Sequence, residues 1–104
     1  MRILKFIINK QIIKKDKTCD FTNIVSGTKG YLKAHFSFST EWNGCKKAAV
    51  FYCLGKEYAA AIIDGRCEIP YEALVCDKFF VSVVGEKNGY RITTNKIRVD
   101  QGVG

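Results

Sequence analysis

Residues 31–38 read Tyr-Leu-Lys-Ala-His-Phe-Ser-Phe, and that alternation constrains the chain more than any other feature. Leu32, Ala34, Phe36 and Phe38 fall on one side of an extended backbone; Lys33, His35 and Ser37 fall on the other. A period of two marks a β-strand with one buried and one wet face, because successive side chains of a strand point to opposite sides of its sheet. A helix would scatter the same residues around its axis. Other stretches of strand length follow in series, separated by turn formers, with glycines expected between the apolar runs.

Residues 2–8 (Arg-Ile-Leu-Lys-Phe-Ile-Ile) are rich in β-branched and aromatic side chains and suit a strand. Asn9-Lys10 turns the chain and residues 11–15 return as a short partner. Residues 16–30 are dominated by polar side chains and are expected to form a connecting loop, with a brief extended piece at 23–25. Trp42, the sole tryptophan, sits in the turn Ser39-Thr40-Glu41-Trp42-Asn43-Gly44, where a core-plugging role lets its N–H reach a backbone carbonyl. Residues 48–53 and 57–63 are apolar runs of strand length broken at Leu54-Gly55-Lys56. Asp64-Gly65 is a hairpin signal, so Cys67-Glu68-Ile69 is expected to return beside the second run. Residues 70–74 suit one helical turn, with Pro70 where its missing N–H costs least. Residues 79–84 form a fully apolar strand, 85–89 a loop, and 90–94 and 96–99 two closing strands. About seven to nine short strands without a long helix predict an all-β fold: an immunoglobulin-like antiparallel sandwich, with a small β-barrel as the alternative. One domain spans residues 1–100, and residues 101–104 are expected to fray.

The 104 residues are 47% hydrophobic, enough for one core to fold without disulfides or metals. Five cysteines, Cys19, Cys45, Cys53, Cys67 and Cys76, stand 26, 8, 14 and 9 residues apart. That is an odd number with no Cys-x-x-Cys unit, so most are expected to be reduced and buried. The N-terminal stretch begins like a signal peptide, but Lys5 interrupts its apolar patch and no small-residue cleavage site follows. No run approaches a membrane span. Synthesis and residence in a cytoplasm are therefore expected. Seventeen basic against ten acidic residues give a net charge of +7. That balance suits lysine-rich strand faces, and it leaves nucleic acid open as a less favoured partner.

No motif assembles a reaction centre. His35, the only histidine, points to the wet side of its strand, and neither a Gly-x-Ser-x-Gly elbow nor a phosphate-cradling glycine loop is present. The ten carboxylates are scattered, mostly in turns. The expectation is a non-enzymatic chain without cofactor or metal. Its contact candidates are Tyr31, Tyr58 and Tyr90, which stand near loop edges and offer rigid amphipathic area.

Residues 25–99 also carry a resemblance. The stretches are 25–44 (Val-Ser-Gly-Thr-Lys-Gly-Tyr-Leu-Lys-Ala-His-Phe-Ser-Phe-Ser-Thr-Glu-Trp-Asn-Gly), 46–51 (Lys-Lys-Ala-Ala-Val-Phe), 68–74 (Glu-Ile-Pro-Tyr-Glu-Ala-Leu), 81–85 (Val-Ser-Val-Val-Gly) and Thr93-Thr94-Asn95. Together they resemble small immunoglobulin-like proteins of phage tails, baseplates and head decorations, encoded in phages and prophages of gut Firmicutes. The resemblance implies a multicopy virion component, made in the host cytoplasm, whose partners are other structural proteins. It carries over no functional residue. A small inhibitor of a host defence nuclease, resembling anti-CRISPR proteins, is the alternative from a different class.

Overall fold

The computed structural model describes residues 1–102 as nine strands and two single turns of 3-10 helix. The strands are β1 (Arg2–Asn9), β2 (Ile12–Lys15), β3 (Leu32–Phe38), β4 (Lys46–Cys53), β5 (Lys56–Ile62), β6 (Arg66–Glu68), β7 (Lys78–Lys87), β8 (Tyr90–Thr93) and β9 (Ile97–Asp100). The 3-10 turns are Thr40–Trp42 and Tyr71–Ala73, the second with Pro70 at its N-cap, where the sequence places a helical turn. A four-stranded sheet in the order β2-β1-β3-β6 faces a second sheet in the order β5-β4-β7, with β8 and β9 both paired to β7. The expected all-β sandwich is present.

Alternation decides which side chains fill it. From the first sheet come Leu4, Phe6 and Ile8, then Ile13, then Leu32, Ala34 and Phe36; from the second come Ala49, Phe51, Phe79, Val81, Val83 and Val99. Aromatic rings run in a line along the first sheet, Phe21–Phe6–Phe36–Phe38–Trp42, with successive centroids 5.4, 5.5, 6.2 and 5.3 Å apart. Trp42 ends the line and is fully buried, and its indole Nε1 donates to the Lys10 carbonyl at 2.8 Å. The tryptophan is the core plug its polar turn suggests.

Several expectations are corrected. Every strand pair is antiparallel except β1–β3, which runs parallel from Arg2↔Leu32 to Ile8↔Phe38. A parallel neighbour needs a long crossover, and the 16–31 loop supplies it. That loop is tied down. The Arg2 guanidinium donates to the carbonyls of Asp20, Thr22 and Asn23, and Ile24 is buried. Asp16 and Asp20 each accept from the backbone N–H and hydroxyl of the threonine two residues on.

Asp64-Gly65 does turn tightly, with φ of 53° and 74°, and Ile63 and Arg66 exchange both backbone bonds. The returning strand β6 then leaves β5 and pairs with β3 in the other sheet. Residues 85–87, expected as loop, extend β7, because Glu86 and Gly85 still pair with Lys46 and Lys47 of β4. Only Asn88 and Gly89 turn, both with positive φ. Gly85 thus lies inside a strand rather than between strands. The Gln101 and Gly102 backbone is held rather than frayed. Gln101 is buried, its amide donating to the Cys76 carbonyl at 2.8 Å, and Gly102 bridges Val25. Val103 and Gly104 lie outside the described residues. Cys53 and Cys76 form a disulfide with Cα atoms 6.5 Å apart, while Cys19, Cys45 and Cys67 are free. Three of the five cysteines are therefore free, in line with the expectation that most are reduced, and the other two are cross-linked.

Candidate docking surface

The three tyrosines do not converge. Tyr31 immediately precedes β3, and Tyr90 packs beside the turn that follows β3, so the length of that strand, about 23 Å, lies between their ends of the sandwich. The Tyr90 hydroxyl donates to the Glu41 carbonyl at 2.8 Å and lies 3.7 Å from the Cys45 sulfur. The contact with Cys45 and the loss of solvent raise its pKa. Tyr90 is thus a tie between β8 and the Trp42 turn, and remains exposed. Tyr58 sits on β5 opposite Phe51 and packs against the core. Tyr31 is the most open of the three, at 49% exposure.

His35 lies half-buried on the outer face of the first sheet, in a row with Lys5 of β1 and Arg66 of β6. Burial depresses its pKa first, and the charges of Arg66 and Lys5 add to the effect. The shift favours the neutral imidazole. The hollow above it, about 330 Å³, is lined by Lys5, Asp16, Ser37, Asp64 and Arg66 among others. The neighbouring row is Ile3–Lys33–Glu68, closed by a 2.7 Å Lys33–Glu68 ion pair. This face alternates apolar and charged groups and is an ordinary solvated sheet surface. Cys67, on the inner side of β6, has its thiol pKa pushed up to about 12 by burial, which leaves it a poor nucleophile. Among the described residues no three His, Cys, Asp or Glu side chains gather at metal-binding range. No helix among them is long and apolar enough to cross a membrane.

The second sheet presents a different outer face. Its register sets the residues in rows across the strands: Ala61–Ala48–Val84–Thr93, then Ala59–Val50–Ser82, then Glu57–Tyr52–Phe80–Arg98. Small or aliphatic groups occupy the middle. Ala59 and Ala61 are exposed, while Ala48, Val50 and Val84 are half-buried. One end of the band is the charged row Lys46–Glu86–Arg91. At the other end, Arg98 donates to Asp100 at 2.7 Å. Within the band, Tyr52 and Ser82 share a 2.8 Å hydroxyl–hydroxyl hydrogen bond, and the Lys96 ammonium caps the Tyr52 ring 4.0 Å from its centroid. These contacts hold the aromatic part of the surface flat and satisfied.

In the sequence, residues 48–53, 57–63 and 79–84 are apolar runs of strand length with no face assigned. The structure sends every second residue of each run outward. A signal was present: an antiparallel strand with one wet face should alternate apolar and polar residues, and these three runs do not. An apolar centre with a charged rim is the anatomy of a protein–protein contact patch. No family model matches the chain, and no curated protein or solved structure matches it.

Proposed function

We propose that this chain is a non-enzymatic structural module of a phage particle, docking on capsid, tail or baseplate proteins through the outer face of its five-stranded sheet. The observation that carries the reading is the uncharged band Ala61–Ala48–Val84 and Ala59–Val50–Ser82 between charged ends. Water gains nothing from solvating such a face, and its removal on docking supplies the driving force. The flanking charges supply register and discrimination between partners. The resemblance of residues 25–99 to phage tail, baseplate and head-decoration modules supplies the class of partner.

The test is mass spectrometry of particles purified from the strain that encodes the chain, with wild type and two variants. Val84→Asp places a charge in the band, and Lys14→Ala alters the opposite face of the sandwich. Wild type and Lys14→Ala are expected in the particles, with Val84→Asp depleted although it folds. Absence of the wild type from particles, together with its recovery on a host nuclease complex, overturns the reading in favour of a host-directed inhibitor.

A further inference from the structure

The strands that border the sandwich are not equivalent. β2 is short, carries Lys14 and Lys15, and is sealed by the segment between β8 and β9. There the Asn95 side chain accepts from Ile13 N–H at 2.8 Å, and Gln11 donates to the Thr93 carbonyl. β6 has three residues, and its first is held by Ile63. β5 is different. It is seven residues long, pairs among the described residues with β4 alone along its length, and reads Lys-Glu-Tyr-Ala-Ala-Ala-Ile, with its charges confined to one end. It has no proline and no bulge in its register with β4. Natural proteins normally blunt such an edge with lysine, proline or a kink, because its unpaired N–H and C=O groups are a template for another strand.

The geometry says which groups are on offer. Leu54 and Gly55, both at positive φ, form a two-residue hairpin that closes on the pair Cys53↔Lys56. From that hydrogen-bonded closing pair the bonding alternates, so Lys56, Tyr58, Ala60 and Ile62 bond to β4 while Glu57, Ala59 and Ala61 turn their backbone groups outward. Ile63 continues the outward set, and its groups are indeed taken by Arg66.

We infer that β5 is a self-pairing edge: two copies of this chain join by antiparallel addition of β5 to β5 about a two-fold axis at Ala59. The inference rests on the docking reading, since the seam sets the uncharged outer bands of both copies side by side as one surface. A second copy fits for four reasons. Opposing Ala59 to Ala59 opposes Glu57 to Ala61 in both directions, so all three outward residues of each strand are used, giving about six backbone bonds. On the inner side the same register sets Tyr58 against Ala60 of the second copy, a large side chain beside a small one. It also carries Leu54 of each hairpin to the Ile63–Asp64 end of the other copy. Leu54 and Ile63 are 88% and 68% exposed, and the seam covers both. Finally, no like charges meet. Glu57 of one copy comes to about 12 Å, Cα to Cα, from Lys46 of the other, within reach of two long side chains. The opposing term is the net charge of +7 on each copy. Salt screens that repulsion, so the pairing strengthens as salt is added.

Sedimentation velocity on the full chain, from micromolar to sub-millimolar concentration and at low and high salt, tests this. The expected result is a monomer–dimer equilibrium that tightens with salt. Ala59→Lys and Ala59→Glu each place like charges face to face on the axis and should weaken the dimer by about fivefold or more. Mixing the two variants should restore it as a heterodimer. Ala59 is exposed, so both variants keep the fold, which the emission of buried Trp42 verifies. A wild type that stays monomeric throughout overturns the inference, as does a dimer indifferent to the Ala59 charges or a mixture that fails to recover. Particle incorporation of the same samples separates the two claims. A monomeric wild type that still enters particles refutes self-pairing and leaves docking standing. A dimer that never enters particles does the reverse.

Discussion

Replacing Gly85 by alanine asks the core for space it does not have. A Cβ built at this position meets Trp42 Cε3 and Cζ3 at 2.9 Å each and Cys45 Cβ at 3.2 Å. Ordinary contact needs roughly half an ångström more, and in a close-packed interior the ring must supply it. The ring is not free to do so. It is fully buried, its Nε1 is held at 2.8 Å by the Lys10 carbonyl, and Phe38 packs 5.3 Å from its centroid. Lys10 is fixed in turn, its N–H donating to Ser39 Oγ at 2.8 Å. Overpacking of this kind costs about 1–3 kcal/mol. Alanine recovers about 0.4–1 kcal/mol by restricting the unfolded chain, provided the backbone suits it. Gly85 lies in a strand without a positive φ, so that recovery applies. The net expectation is a loss of about 1–2 kcal/mol, or a Tm lower by about 5–15 °C for a domain of this size. Urea unfolding followed by Trp42 emission reads the change directly. In a Trp42→Leu background, followed by circular dichroism, the clashing atoms are gone and the same substitution should be neutral or stabilising, a coupling of about 1–2 kcal/mol. A Gly85→Ala protein that unfolds at or above the wild-type urea midpoint refutes the steric argument.

The Cys53–Cys76 bond closes a 23-residue separation, which the loop-entropy relation values at about 3 kcal/mol. Thiol titration in denaturant should find three free groups before reduction and five after, and reduction should lower the urea midpoint. Five from the start would show that the cross-link does not form. His35 gives a pH dependence of definite sign. Burial, Arg66 and Lys5 lower its folded pKa, so its contribution is present above the ordinary histidine value and is lost as pH falls through the lower folded one. Stability should begin to decline below about pH 6.5, and His35→Gln should flatten that part of the curve. Asp16, Asp20 and Asp100 have lowered pKa values from their Thr18, Thr22 and Arg98 hydrogen bonds and act only in the more acidic carboxylate range. A decline between pH 7 and 5 that persists unchanged in His35→Gln contradicts the assignment.

Local physics made much of the fold legible. Alternation at 31–38 identified the inward set Leu32, Ala34 and Phe36, because the direction of a strand side chain depends only on its parity. The tight turn at Asp64-Gly65 and the helical turn after Pro70 follow from the φ values those residues tolerate. The tryptophan's need for both burial and a hydrogen-bond acceptor pointed to a core plug with a carbonyl partner. The candidate site was far less legible. Tyr31, Tyr58 and Tyr90 stood near loop edges, but edge position alone does not say whether a ring faces a partner, the core or a neighbouring carbonyl. Tyr58 packs inward, and Tyr90 ties down the Trp42 turn.

The amino-acid sequence by itself determined most of the strand segments, the inner face of residues 32–38 and most of the turns, all properties of a residue and its near neighbours. Tertiary structure alone decided that β3 lies parallel to β1 and that β6 crosses to the other sheet. It alone brought Cys53 to Cys76, seated Gly85 on Trp42 and left β5 with an open edge. Each of these joins residues far apart in the chain, and which distant surfaces meet is set by how the whole core packs rather than by any local preference.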